Sequence, residues 1–187
     1  ITEKHLKDKF SQNLDKSNVV ILGGTGPVGV ASAVICAKAG ANVTLVGRSL
    51  EKAEKIAGIC NDRYNSKNVK GGADADKSDF FNAADIVLNT GAAGIQLMSD
   101  EHIKNSNTLK ICADTNAVPP SGIAGVDVMD NGKVIDMSPS KCLGIGALAI
   151  GNIKYKSQHE CLKLMYTSEK PVYLDFEDAF KFAQKSV

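Results

Sequence analysis

Between Leu22 and Val30 the chain reads Gly23-Gly24-Thr25-Gly26-Pro27-Val28-Gly29. Gly24, Gly26 and Gly29 fit the pattern G-x-G-x-x-G. That pattern is weak alone, because glycines are common. Its setting strengthens it. The apolar run Val19-Val20-Ile21-Leu22 before it has the composition of a strand covered on both faces. The segment Val30 to Ala39 after it is helix-like and stops at Gly40, a natural helix end. A glycine loop between strand and helix is suited to a dinucleotide's diphosphate. Gly24 is expected to permit the tight turn, Gly26 to let the diphosphate approach the backbone, and Gly29 to let helix and strand pack closely. The helix N-terminus offers free N–H groups and a partial positive charge. Pro27 suits the first helical turn, where its missing N–H has no intrahelical partner. Thr25 and Val28 complete the candidate loop. The alternative is a glycine-rich turn that holds no ligand.

A second signal lies about 20 residues further on, where NAD-binding folds usually carry an acid for the ribose 2′-hydroxyl. The run Val43-Thr44-Leu45-Val46 reads as a second buried strand and is followed by Gly47-Arg48-Ser49. No acid stands there. A guanidinium pairs with a 2′-phosphate that a carboxylate would repel. Arg48, Ser49 and Lys52, one turn into the next helix, are therefore candidates for that phosphate. The cofactor expected is NADP, with NAD as the lesser choice. Arg48 stacked on adenine or left in solvent is the alternative.

Three further segments fall at strand ends. Thr90, Gly91 and Ala92, within Asn89 to Gly94, suit a cofactor ribose lying on backbone, or form a simple turn. Asp114 and Asn116 open a polar stretch with a diproline; Asp114 either caps a turn or faces a ligand. Gly146, within Gly144 to Gly151, either contacts nicotinamide or allows close helix packing. All of these are taken as candidate cofactor contacts.

The elements that must position these residues alternate. Strands are expected at 19–22, 43–46, 69–73, 85–89, 109–113 and 133–137, with helices between. Leu6, Phe10 and Leu14 make one apolar stripe on a helix over 2–16, and Phe176, Ala179, Phe180 and Ala183 another near the C-terminus. Alternation predicts an α/β fold with a doubly wound parallel sheet, a Rossmann-type NADP-binding domain. The expected organisation is a connecting helix over 1–17, the dinucleotide domain over 18–151, and C-terminal helices over 152–187 on or beside it.

Composition narrows the classes. The formal net charge of +1 gives no field that would attract nucleic acid or a membrane surface. No apolar run approaches the ~20 residues of a membrane span. Ile1 opens a charged stretch rather than a signal peptide, and the absence of Met there suggests sequence upstream. Five irregularly spaced cysteines and three scattered histidines suggest neither a disulfide framework nor a metal site, and point to reducing cytoplasm.

Four segments together resemble a known family: GGTGPVG, VGRSLEKAE, ADTNAVPPSGIAGVD and GIGALAIGNIKYKSQHECL. In order and spacing they are similar to the methylene-tetrahydromethanopterin dehydrogenases of methylotrophic bacteria. The resemblance runs from about Val19 to the C-terminus. The glycine loop is shared with many enzymes, whereas the stretch from Asp114 to Asp127 and the segment from Gly144 are more specific. The resemblance implies an enzyme that oxidises the methylene group of the pterin to methenyl and passes a hydride to NADP, a step of formaldehyde oxidation. Some members also accept NAD, or tetrahydrofolate as the carrier.

The resemblance further implies a cytoplasmic homo-oligomer, a small-molecule pterin substrate and, in each subunit, an N-terminal domain holding much of the pterin site. Nothing in these residues matches that domain, so the chain is expected to bind NADP while turning over the pterin poorly by itself. No acid–base residue is identified. The hydride donor carbon lies between two nitrogens whose lone pairs stabilise the product cation, and no base is strictly needed. Asp114 is the one carboxylate considered for facing that cation. Two other readings stay open: a shikimate-dehydrogenase-like or glutamyl-tRNA-reductase-like NADP enzyme, and a non-catalytic NADP-binding module or sensor.

Overall fold

A computed structural model describes all of residues 1–187. The first strand, β1 (Asn18–Leu22), is the third strand of a seven-stranded sheet. Beyond it come β2 (Asn42–Gly47), β3 (Val69–Ala73), β4 (Ile86–Asn89), β5 (Ile111–Asp114), β6 (Asn131–Val134) and β7 (Leu143–Ile145), in the spatial order β3-β2-β1-β4-β5-β7-β6. All neighbouring pairs are parallel except β6–β7. The helices are α1 (Thr2–Phe10), α2 (Pro27–Lys38), α3 (Leu50–Arg63), α4 (Lys77–Asn82), α5 (Asp100–Asn105), α6 (Ala147–Thr167) and α7 (Phe176–Lys185). Strand order reverses between β1 and β4, where such sheets open a crevice at the strands' carboxyl ends.

Alternation along β1 divides the core. Val19 and Ile21 point into one apolar cluster with Val34, Leu45 and Ile111, and Val20 and Leu22 into another with Phe81, Val87 and Met98. Each face is covered by helices, so every residue from Val19 to Leu22 is buried. Fully burying such a side chain stabilises the fold by about 1.5–3 kcal/mol. The weakly apolar β3 has its own reason for glycine. A side chain on Gly71 would run into the α3 backbone at Glu54, and one on Gly72 would meet the Phe80 ring.

Two expectations are corrected, and one strand is added. The first helix ends at Phe10, where Ser11 turns left-handed at φ 51°. Leu14 lies beyond that end, yet it is buried with Leu6 in the first cluster. The strand expected at 133–137 runs from Asn131 to Val134 and is antiparallel. The place beside β5 belongs to β7, whose register pairs Ile111 with Leu143 and Ala113 with Ile145. Three residues with a central glycine carry too little period to be read as a strand, and pairing with β5 decides their state. At the C-terminus, α7 is tied to the main body by an edge-on contact of Phe176 with Tyr64, centroids 5.6 Å apart, and by Lys38–Glu177 at 2.6 Å.

Candidate functional site

The glycine loop leaves β1 and enters α2, as its spacing predicts. The structure redistributes the tasks of its glycines. The left-handed residue is Gly23, at φ 65°, not Gly24. Gly24 is buried, and a side chain there would come within 2.6 Å of Leu45 Cδ2 and 2.9 Å of the Ile21 carbonyl, so packing requires glycine. Gly29 lets the first turn of α2 sit on the loop: a Cβ would come within 2.5 Å of Gly24 Cα. Gly26 differs from both. It is the helix N-cap with extended backbone, φ −86° and ψ 169°, which any residue adopts. A Cβ on it would meet only the Gly23 carbonyl, at 3.7 Å. The space beside Gly26 is therefore open, and the fold itself does not require glycine there.

That ledge fits a diphosphate. No side chain caps α2, and Pro27 stands in its first turn. The first N–H groups of a helix have no partner within it, so those of Val28 and Gly29 are available to an anion. Thr25 lies against the end of β2: a Cβ on Gly47 would approach its methyl to 2.8 Å. The Gly24 N–H also donates to the Val46 carbonyl at 3.0 Å. These contacts bring Arg48, Ser49 and Lys52 beside the loop. Ser49 caps α3, its hydroxyl oxygen accepting from the Lys52 N–H at 3.3 Å. Arg48 and Lys52 are exposed, and neither joins an ion pair within the chain. Two cations without carboxylate partners and one hydroxyl suit a phosphate ester at this edge.

On the other side of the loop, Gly91 lies backbone to backbone against Gly23, where a Cβ would reach 2.5 Å from Gly91 Cα. Thr90 is fixed by two bonds to the Leu22 carbonyl, from its N–H and its hydroxyl, both 2.9 Å. Ala92 is exposed above them.

Of the two alternatives for Asp114, capping a turn or facing a ligand, its hydrogen bonds accord with the first. It is buried, and both of its carboxylate oxygens are engaged by the chain. One accepts from Asn89 Nδ2 at 2.7 Å and the Asn116 N–H at 2.9 Å, the other from the N–H groups of Gly122 at 2.7 Å and Ile123 at 3.0 Å. Asn116 is likewise turned inward. Its carbonyl accepts from Val118 and Gly94, and its amide donates to the Pro120 carbonyl. Gly146, the N-cap of α6, is buried with its Cα against the backbone of Asp127 and Val128, so close packing accounts for this glycine. Gly23, Gly47, Asn89 and Gly122 take structural parts at the site that their sequence context had not assigned. Asn89 carried a usable signal: an amide closing an otherwise apolar buried strand must find partners.

No family model matches the chain. Among curated proteins, the NAD(P)-dependent methylenetetrahydromethanopterin dehydrogenase of Methylorubrum extorquens is 38% identical over 181 residues, 95% of this chain and 60% of that protein. Over nearly its whole length the chain is similar to this dehydrogenase. A second relative from the same organism, the bifunctional protein MdtA, is 36% identical over 168 residues, 89% of the chain and 57% of that protein. The chain thus spans about three fifths of the length of the curated relatives it matches. Among solved structures, quinate dehydrogenase from Corynebacterium glutamicum in complex with NAD superposes with a TM-score of 0.59 at 16% identity, covering 99% of this chain and 60% of that one. Shikimate 5-dehydrogenase from Listeria monocytogenes gives 0.56 at 14% identity, covering 95% and 59%. At such low identity these two establish the fold alone, a doubly wound Rossmann-type sheet. No helix of this chain is long and apolar enough to cross a membrane.

Proposed function

We propose that this chain is the NADP-holding part of an oxidoreductase that removes a hydride from methylenetetrahydromethanopterin. The observation that carries the proposal is the homology over nearly the whole chain to a dehydrogenase of that name. The open ledge at Gly26 gives the reading a physical basis. When bound, the nicotinamide supplies the hydride acceptor. The chain's part is to hold and aim it. The Gly24 to Gly29 loop takes the diphosphate, and Arg48, Ser49 and Lys52 take the 2′-phosphate, favouring NADP over NAD. The ends of β4 and β5 flank the nicotinamide half. No side chain is assigned to proton transfer, in keeping with a hydride step that releases no proton. The resemblance noted above also supports a cytoplasmic homo-oligomer.

Calorimetric titration tests the cofactor assignment. Saturable NADP binding, tighter than NAD, is expected, and no binding of either would overturn it. NADPH absorbance in the presence of methylenetetrahydromethanopterin, with the remaining portion of a curated relative supplied, tests the substrate. A folded mixture that binds NADP and forms no NADPH would count against the pterin.

A further inference from the structure

The bonds around Asp114 bind loops to one another at the carboxyl edge of the sheet. Its carboxylate gathers the N–H groups of Asn116, Gly122 and Ile123, which belong to the segment after β5, and the amide of Asn89, which ends β4. The Asn89 side-chain oxygen, Oδ1, in turn accepts from the Gly91 N–H at 3.0 Å. Gly91 is the residue packed backbone to backbone on Gly23 of the phosphate loop. Asn116 makes a second tie between the two loops through the Gly94 N–H, at 3.3 Å. Gly122 completes the arrangement, since a side chain there would coincide with the Asn89 amide. Above this buried layer the rim exposes Ala92, Ala93 and Val118.

We propose that Asp114 is a positioning residue, setting through Asn89 and Asn116 the rim that receives the nicotinamide half of the dinucleotide. The inference rests on the NADP reading above. In a doubly wound sheet one nucleotide lies on each side of the strand-order reversal. Arg48 places the adenosine end over β2, so the other half of the molecule lies over β4 and β5. The rim there is made of backbone and methyl groups, which have little reach of their own. Its shape is set from beneath. An amide in place of the carboxylate cannot serve all four donors: whichever oxygen becomes an NH2 group confronts N–H donors it cannot accept from.

The test compares two ligands on the full chain: NADP, and adenosine 2′,5′-bisphosphate, which has the adenosine end and no nicotinamide. For Asp114→Asn the NADP affinity is expected to fall tenfold or more, while affinity for the bisphosphate stays within about twofold. The swapped double variant Asn89→Asp with Asp114→Asn should regain only part of the loss, because the NH2 group then at position 114 still faces the Asn116 N–H. There the carboxylate at position 89 can accept from Gly91 and from the new amide at 114, whose oxygen still faces Gly122 and Ile123. Asn116→Ala should show the same selective loss to a smaller degree, and it serves if Asp114→Asn does not fold.

Circular dichroism and thermal midpoints establish that each titrated variant is folded. Equal loss for both ligands would make Asp114 a fold brace only and overturn the proposal, as would an unchanged NADP affinity. If the unsubstituted chain binds neither ligand, the NADP reading fails first and this inference with it. If it binds both and the variants do not discriminate, this inference alone fails.

Discussion

The two sides of the crevice hold their loops by different means. On the β1–β2 side the work is done by missing side chains: Gly23, Gly24 and Gly29 let backbone press on backbone or on Leu45. On the β4–β5 side it is done by polar side chains, with the buried Asp114, Asn89 and Asn116 collecting N–H groups from two loops. A glycine loop can be rigid yet leave its outer surface as bare N–H groups, which is what a diphosphate requires. A polar hub can hold longer and less regular loops. It must then satisfy every polar atom it buries, because an unpaired one costs about 1–3 kcal/mol.

The contrast can be broken most severely at Gly29. Gly29→Val drives a branched side chain into Gly24, and about 3 kcal/mol of stability should be lost, at the upper end for overpacking. The urea midpoint reads this, and an unchanged midpoint would mean that helix and loop are not in close contact. On the other side, Gly122→Ala should cost about 2 kcal/mol by pushing the Asn89 amide off Asp114. If that variant is as stable as the original chain, the hub is not tight.

Gly26→Val sharpens the comparison within one loop, because its Cβ meets no part of the fold closer than 3.7 Å. Stability should be kept while NADP affinity falls tenfold or more, about 1.4 kcal/mol. An unchanged titration in the folded variant would place the phosphates elsewhere. Arg48→Asp should weaken NADP more than NAD, since only NADP carries the additional phosphate. Parallel losses for the two cofactors would move attention to Lys52. The smallest effect is expected at Ser49, which caps α3. Ser49→Ala should lower stability by about 1 kcal/mol, seen as a modest fall in the urea midpoint, with any NADP effect well below that of Arg48→Asp.

The difference between the two sides is also a difference in legibility. The glycine loop could be read because its chemistry is local: strand, turn and helix follow each other within a dozen residues, and the spacing constrains the backbone directly. β7 and the hub could not be read in that way. Asp114 meets Asn89 from 25 residues away and Gly122 from 8. Nothing in the stretch itself tells whether the carboxylate turns to solvent, to a ligand or to the chain. The shift from a helix over 2–16 to one ending at Phe10 has a similar cause. Leu14 keeps the helical spacing, but the chain reaches the same apolar cluster after a left-handed turn at Ser11.

What the sequence determined by itself is therefore whatever depends on neighbours along the chain. That covers the alternating elements, the loop that opens a helix N-terminus, the cations after β2, and the segments that resemble the methylene-tetrahydromethanopterin dehydrogenases. Tertiary structure decided what depends on groups brought together from afar. It gave the left-handed turn to Gly23, made Gly24 a packing residue, seated β7 beside β5, and turned Asp114 and Asn116 inward. The physical reason is that a buried polar group or a close backbone approach is defined by its partners, and those partners are chosen only when the sheet assembles.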